Sequence, residues 1–262
     1  FMPLPEREIF DFISRGQTWL PLFTLIVGSL LGLADDLFQI LGKGKVFLEG
    51  IDRKVRIFAV SLIGLIGAWW FFAKLGITAI SVPFTSGSLE LGWIFVPFFI
   101  IVVLATFSSS VIDGIDGLAG GVMMIIYSAF AMIAFSKGLY DIAAFCSAIS
   151  GGLLAFLWFN IPPARFYMGD TGMLGLTITL AIVSFLTDSV LLLPIVAFPL
   201  VVTSLSSFIQ IISKRVFKKK VFKIAPLHHH FEALGWSRER ITMRYWVITG
   251  VFAMLGVIIS LL

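Results

Sequence analysis

Long apolar runs separated by short polar breaks dominate the chain. Bilayer-crossing helices need roughly 20 mainly apolar residues, and the pattern predicts eight such spans. They cover about Thr18–Ala34, Val55–Ala73, Trp93–Phe107, Leu118–Ser136, Ile142–Phe159, Met173–Leu186, Val190–Ile212 and Thr242–Leu262. Pro162-Pro163 ends the fifth span, and Pro194 and Pro199 predict a kink in the seventh, because proline removes a helical hydrogen bond. Residues 1–16 read as an amphipathic or irregular lead-in, without the basic-then-apolar order of a signal peptide. Residues 213–241 form the longest polar segment, and nothing marks a second domain. The expected fold is all-α: one polytopic transmembrane domain over residues 1–262, with about eight helices.

Composition agrees. The chain is 59% hydrophobic and 13% charged, with a mean hydropathy of +1.04. The net charge of +4 is better explained by basic loops on one membrane side than by nucleic acid, which is not expected as a partner. Cys146 stands alone, so no intrachain disulfide is available.

Alternating the eight spans puts the loops after the first, third, fifth and seventh on one side. Those loops hold Asp35-Asp36, the run Asp113-Gly114-Ile115-Asp116-Gly117, Asp170 and residues 213–241. Fifteen of the nineteen lysines and arginines fall on that side and only Arg7, Arg15, Lys74 and Lys137 on the other. The imbalance predicts a cytoplasmic face for the acidic clusters and extracytoplasmic termini.

Carboxylates gathered at the mouths of apolar helices repel one another unless a cation or proton sits among them. An oxygen-only donor set suits magnesium, which binds one or two carboxylates together with substrate phosphates. Gly114, Gly117 and Gly169 let backbone approach a ligand closely, and a helix starting at Leu118 can aim free N–H groups at an anion. The combination suggests phosphoryl transfer involving a membrane lipid. Plainer readings stand beside it: Asp35-Asp36 as the polar end of a span, the Asp-Gly pairs as turns, and Lys218–Lys220 as a marker of sidedness near anionic headgroups. An ion- or proton-coupled transporter is the rival class. Its ionisable groups belong near the middle of spans, whereas these acids lie at span ends.

Residues 225–232, Ala-Pro-Leu-His-His-His-Phe-Glu, followed by Gly235-Trp236, closely resemble the signature of the phospho-N-acetylmuramoyl-pentapeptide transferase family, within the polyprenyl-phosphate N-acetylhexosamine-1-phosphate transferases. Asp35-Asp36, the Asp113/Asp116 run and Met168-Gly169-Asp170-Thr171-Gly172 follow in that family's order. The resemblance implies transfer of phospho-MurNAc-pentapeptide from its UDP carrier to undecaprenyl phosphate, giving lipid I and UMP at the bacterial plasma membrane. A sister enzyme using UDP-N-acetylglucosamine is the alternative. The resemblance implies Mg2+ held by Asp170, and Asp35 and Asp36 activating or positioning the lipid phosphate. It also implies uridine-end contacts from Asp113, Asp116, Asn160 and Tyr167 beside Gly169, and a site-facing His228, His229 and His230. Lys45 lies in the loop after the paired aspartates. Ser110 and Met173 replace the family's usual asparagine and serine, and Tyr167 its usual phenylalanine. The family has about ten spans, so its first two are not in this chain. Oligomeric state stays open, a homodimer included.

Overall fold

A computed structural model describes residues 18–41, 50–85 and 87–262. The fold is all-α and polytopic, with one small hairpin. Helices α1 (Trp19–Leu41), α2 (Arg53–Trp69), α3 (Phe95–Ser108), α4 (Leu118–Ser136), α5 (Tyr140–Asn160) and α6 (Gly169–Leu186) come first. Then follow α7 (Leu193–Val196), α8 (Phe198–Val216), α9 (Leu227–Ala233) and α10 (Arg238–Leu261). A π-helical turn, Trp70–Lys74, extends α2. Two antiparallel strands, β1 (Ala79–Ser81) and β2 (Ser88–Glu90), pair Ile80 with Leu89 before α3.

Among the described residues, seven helical segments are long and apolar enough to cross a membrane, one fewer than expected. The missing one is the expected span 190–212. Its two prolines divide it into α7 and α8, and α8 carries a polar stripe of Thr203, Ser206, Gln210 and Ser213 with Lys214 and Arg215 in its last turn. The pair still runs the length of the bundle. Val196 packs against Gly256 near the end of α10, while Gln210 reaches Phe222, close to the histidine triplet. The first helix also outruns its expected end at Ala34 and continues to Leu41, so the paired aspartates sit inside it.

Helices α4 and α6 form the centre: 67% and 72% of their apolar stretches are buried, against 28–39% in the other five segments. Uniformly apolar helices belong in such positions. Leu118, Met123, Tyr127 and Phe130 of α4 are wholly buried. Phe71, Phe95 and Phe99 pack on Phe185 of α6 in a second cluster, with Phe99 and Phe185 stacked at 4.3 Å.

Glycine sets the closest helix approach. Gly28 and Gly32 of α1 face α6, where a Cβ on Gly28 would lie 3.0 Å from the Gly175 Cα and one on Gly32 would land on the Asp170 carbonyl. Small residues four apart let backbones meet in this way inside a bilayer. This contact carries the upper turns of α1 to the first turn of α6.

Candidate active site

The first turn of α6 gathers the acidic clusters. A helix start leaves several backbone N–H groups without intrahelical partners, and here other elements supply the acceptors. Asp36 of α1 accepts from the Asp170 amide at 3.2 Å, the Thr171 amide at 2.9 Å and the Thr171 hydroxyl at 2.6 Å. Asp113 lies beside the Gly169 amide, within electrostatic reach of Asp36. Burial, with a smaller contribution from Asp36, raises the Asp113 pKa to about 6 against the pull of that amide. Gly169 has φ +64°, and a Cβ there would meet Asp36 Oδ2 at 2.8 Å. A side chain at 169 would therefore be strained and would push the cap away.

Asp35 plays a different part. Its side chain is fully buried, and it accepts from the Ile51 amide at 2.5 Å and from Gln39 Nε2 at 3.2 Å. One nitrogen of Arg56, Nη1, lies 3.1 Å from Asp35 Oδ2 and 2.8 Å from Asp170 Oδ2. Arg56 thus supplies the cation that neighbouring carboxylates require. Sequence reasoning counted it only among the basic residues that set sidedness. Its one available signal was a position one turn into the second span, after the Asp52 cap that accepts from Lys54 N at 2.7 Å. Lys45, named from the resemblance, lies outside the described residues.

The run 113–117 is clamped from several directions. Asn160 Oδ1 accepts from the Gly117 amide at 2.9 Å, and its Nδ2 donates to the Phe166 carbonyl at 2.9 Å. Both ends of this buried amide are therefore engaged within the protein. Thr242 Oγ1 and Trp246 Nε1 of α10 donate to the carbonyls of Asp116 and Gly117 at 3.1 and 3.0 Å. Asp116 Oδ2 accepts from the Ala164 amide at 3.1 Å. Gly117, at φ +74°, turns the chain into α4. Tyr167 stands at the rim, 69% exposed. Met173 is buried in the core, not in the site.

The histidine triplet opens α9 and divides. A Cβ on Gly114 would lie 2.8 Å from His228 Nε2 and 2.9 Å from His229 Nε2, so these two rings face the acidic run across a bare glycine. His228 is wholly buried, and neither ring nitrogen has a partner. Burial, then neighbouring His229, lowers its pKa to about 4, so the ring is neutral at physiological pH. His229 Nδ1 meets Glu232 Oε2 at 2.7 Å, and Arg238 Nε donates to Glu232 Oε1 at 2.6 Å. These two partners hold the Glu232 carboxyl below its usual range, His229 first. His230 turns the other way, accepting from the Lys223 amide at 3.1 Å.

All the expected site residues therefore belong to one end of the bundle. Asp35, Asp36, Asp113, Asp170 and Gly169 meet at the α6 start. Asp116 and Asn160 brace the adjacent loop, and His228 and His229 close it from α9. A groove of about 490 Å3 between α3, α6 and α8 runs from Val190 and Leu193 at the other end to Ser108 and Ser109 near this one, with Phe98 and Phe208 among its apolar walls. Among the described residues no three histidine, cysteine, aspartate or glutamate side chains form a preassembled metal cage.

Comparison with known proteins adds a family. The glycosyl transferase family 4 pattern matches residues 18–188. A phospho-N-acetylmuramoyl-pentapeptide-transferase from Geobacillus thermodenitrificans is 36% identical over 252 residues, covering 96% of this chain and 76% of the relative. Proteins of the same description from Anoxybacillus flavithermus and Listeria innocua are each 37% identical, covering 97% and 96% of this chain and 77% of each relative. The chain thus spans about three-quarters of the length of these relatives.

Proposed function

From the premise that the chain belongs to glycosyl transferase family 4, among the phospho-N-acetylmuramoyl-pentapeptide-transferases, we propose that it transfers phospho-MurNAc-pentapeptide from UDP to undecaprenyl phosphate. An oxygen of the lipid phosphate bonds to the sugar-linked phosphorus, the bond from that phosphorus to the bridging oxygen breaks, and UMP leaves with that oxygen. The products are lipid I and UMP, the lipid precursor and by-product of a step in peptidoglycan synthesis. The observation that carries this reading is the convergence of Asp36, Asp113, Asp170 and Arg56 on the first turn of α6, at the mouth of apolar helices.

In such reactions the protein chiefly positions groups and offsets charge. A phosphate monoester with a second pKa of about 6 is already mostly ionised at pH 7, so a strong base at Asp35 is unnecessary. Its saturated hydrogen bonding suits positioning: it orients Arg56, and Arg56 reaches Asp170. The donor set fits magnesium. The Asp170 side chain is 25% exposed, with Arg56 Nη1 on one oxygen and the carboxylates of Asp35 and Asp36 close by, and magnesium is commonly held by one or two carboxylates plus substrate phosphates. Asp170 would hold the ion, which supplies charge neutralisation at the diphosphate. Tyr167 offers a stacking face to the uracil, and the groove between α3 and α8 is apolar enough for a polyprenyl chain. The polar end would then face the cytoplasm.

The test is UMP release in detergent from UDP-MurNAc-pentapeptide and undecaprenyl phosphate, with magnesium and then with chelator. Chelation and Asp170→Asn should each lower turnover at least about a hundredfold, the scale of losing a preorganised electrostatic contact, while the variant keeps its thermal midpoint. Near-normal turnover in the variant removes Asp170 from metal binding. A preference for UDP-N-acetylglucosamine moves the chain to a sister activity.

A further inference from the structure

The chain between α8 and α9 has no catalytic assignment, yet it is held as firmly as a site. The Gln210 side chain of α8 is buried. Its Oε1 accepts from the amides of Val221 and Phe222 at 3.1 and 3.0 Å, and its Nε2 donates to the Phe222 carbonyl at 2.9 Å. Ser213 Oγ donates to the Lys219 carbonyl at 2.9 Å. Two polar side chains of one helix therefore staple residues 219–222 against it. The far end of the strap meets His230, through the Lys223 amide and the Phe222 ring at 5.5 Å.

The last turn of α8 and the strap together present Lys214, Arg215, Lys218, Lys219, Lys220 and Lys223 outward, all exposed. No aspartate or glutamate occurs between residues 189 and 231. Among the described residues none of these six cations has a carboxylate within ion-pair distance. Between the cations stand Phe217, Val221 and Ile224, 68%, 57% and 49% exposed. Soluble polyanions give no reason for exposed apolar side chains among lysines. A segment that lies at the boundary of acyl chains and headgroups requires both.

We propose that residues 214–224 form a binding site for the anionic headgroups of the surrounding bilayer, with Phe217, Val221 and Ile224 entering the acyl boundary and the cations meeting the phosphates. The hydrogen-bonded backbone makes this a built surface rather than a charged tail, and its contact with His230 joins it to the histidine triplet. The site follows from the membrane fold and does not depend on the transferase reading.

The test uses the full chain in nanodiscs made from equal amounts of phosphatidylcholine and phosphatidylglycerol. Lipid retained on extraction is counted by mass spectrometry. The expected result is enrichment of phosphatidylglycerol that falls as salt rises. Lys218→Gln/Lys219→Gln/Lys220→Gln should lower it strongly, since each lysine near an anionic surface is worth on the order of fivefold in affinity. Lys214→Gln/Arg215→Gln should lower it by less. All five side chains are exposed, so the thermal midpoint should hold in both variants. Equal retention of the two lipids by the parent, or equal enrichment in parent and triple variant, overturns the proposal. Displacement of the lipid by soluble glycerol phosphate at matched phosphate concentration overturns it also, because the site would then read a free phosphate.

Discussion

Two side chains at the site make opposite demands on their surroundings. Arg56 is needed by what it touches. Without it, buried Asp35 loses the cation beside it, and breaking a buried ion pair is expensive. Arg56 is itself partly exposed, so Arg56→Gln should cost about 1–3 kcal/mol, read as a lower thermal midpoint in detergent. Since Nη1 alone makes both contacts, Arg56→Lys should retain most of the stability. Equal losses in the two variants would show that guanidinium shape, not charge, is what matters. His228 is the opposite case, a base kept neutral by burial. Its folded pKa of about 4 lies below the ordinary 6.5, so between those values the unfolded chain binds a proton that the folded chain refuses. Stability is therefore full above about pH 6.5, falls as pH drops toward 4, and changes no further from this group below that. The loss is at most about 3 kcal/mol. Thermal midpoints measured from pH 8 to pH 4 should show this slope, and His228→Phe should flatten it.

Among the elements, the α1–α6 crossing decides whether the site exists. Asp36 belongs to one helix and caps another, so the cap depends on the closeness that Gly32 permits. Gly32→Leu should force the helices apart and cost about 1–3 kcal/mol by overpacking, with loss of UMP release. Gly151, in α5, has no heavy atom near its Cβ position. Gly151→Ala should therefore be neutral or slightly stabilising, as in an exposed helix. Equal damage from both changes would mean that helix propensity, not the crossing, is being read. Here the sequence was informative to an uneven degree. The three acidic stretches could be grouped because each follows an odd-numbered apolar run, and the broken seventh span was announced by Pro194 and Pro199. The extension of α1 past Asp35-Asp36 was not legible: two charges look like an end, and only their partners on α6 and Arg56 explain why a helix carries them. The hairpin at 79–90 was hidden for a similar reason. Its strands are three residues long and depend on Asp188, which accepts from the Ser81 amide at 3.0 Å. Arg56 and the turn of His230 away from the acidic run are likewise tertiary facts, with no local spacing to give them away.

For the whole molecule, sidedness follows from counting crossings, and α7–α8 is the element on which the count turns. With that pair crossing, the strap at Lys219 and the hairpin at Phe84 lie on opposite membrane faces. Both positions are exposed, and the lone Cys146 is buried and silent. In right-side-out vesicles a membrane-impermeant thiol reagent should label Phe84→Cys and spare Lys219→Cys until the membrane is opened. Labelling of both from outside would cancel the proposed cytoplasmic face.

The end remote from the aspartates is sewn together. Lys137 Nζ donates to the carbonyls of Thr187 and Asp188 at 2.7 and 3.1 Å and meets Ser189 Oγ at 3.0 Å, while Asp188 grips the hairpin through Ser81. One ammonium and one carboxylate thereby tie α4, the α6–α7 turn and the strands into a rivet. The bundle is thus fastened at both ends, by this rivet at one tip and by the Asp36 cap and the Arg56 bridge at the other. Between the two fastenings lies the apolar groove beside α3, α6 and α8, and under the proposed reaction a lipid-linked product would leave along it, sideways into the bilayer.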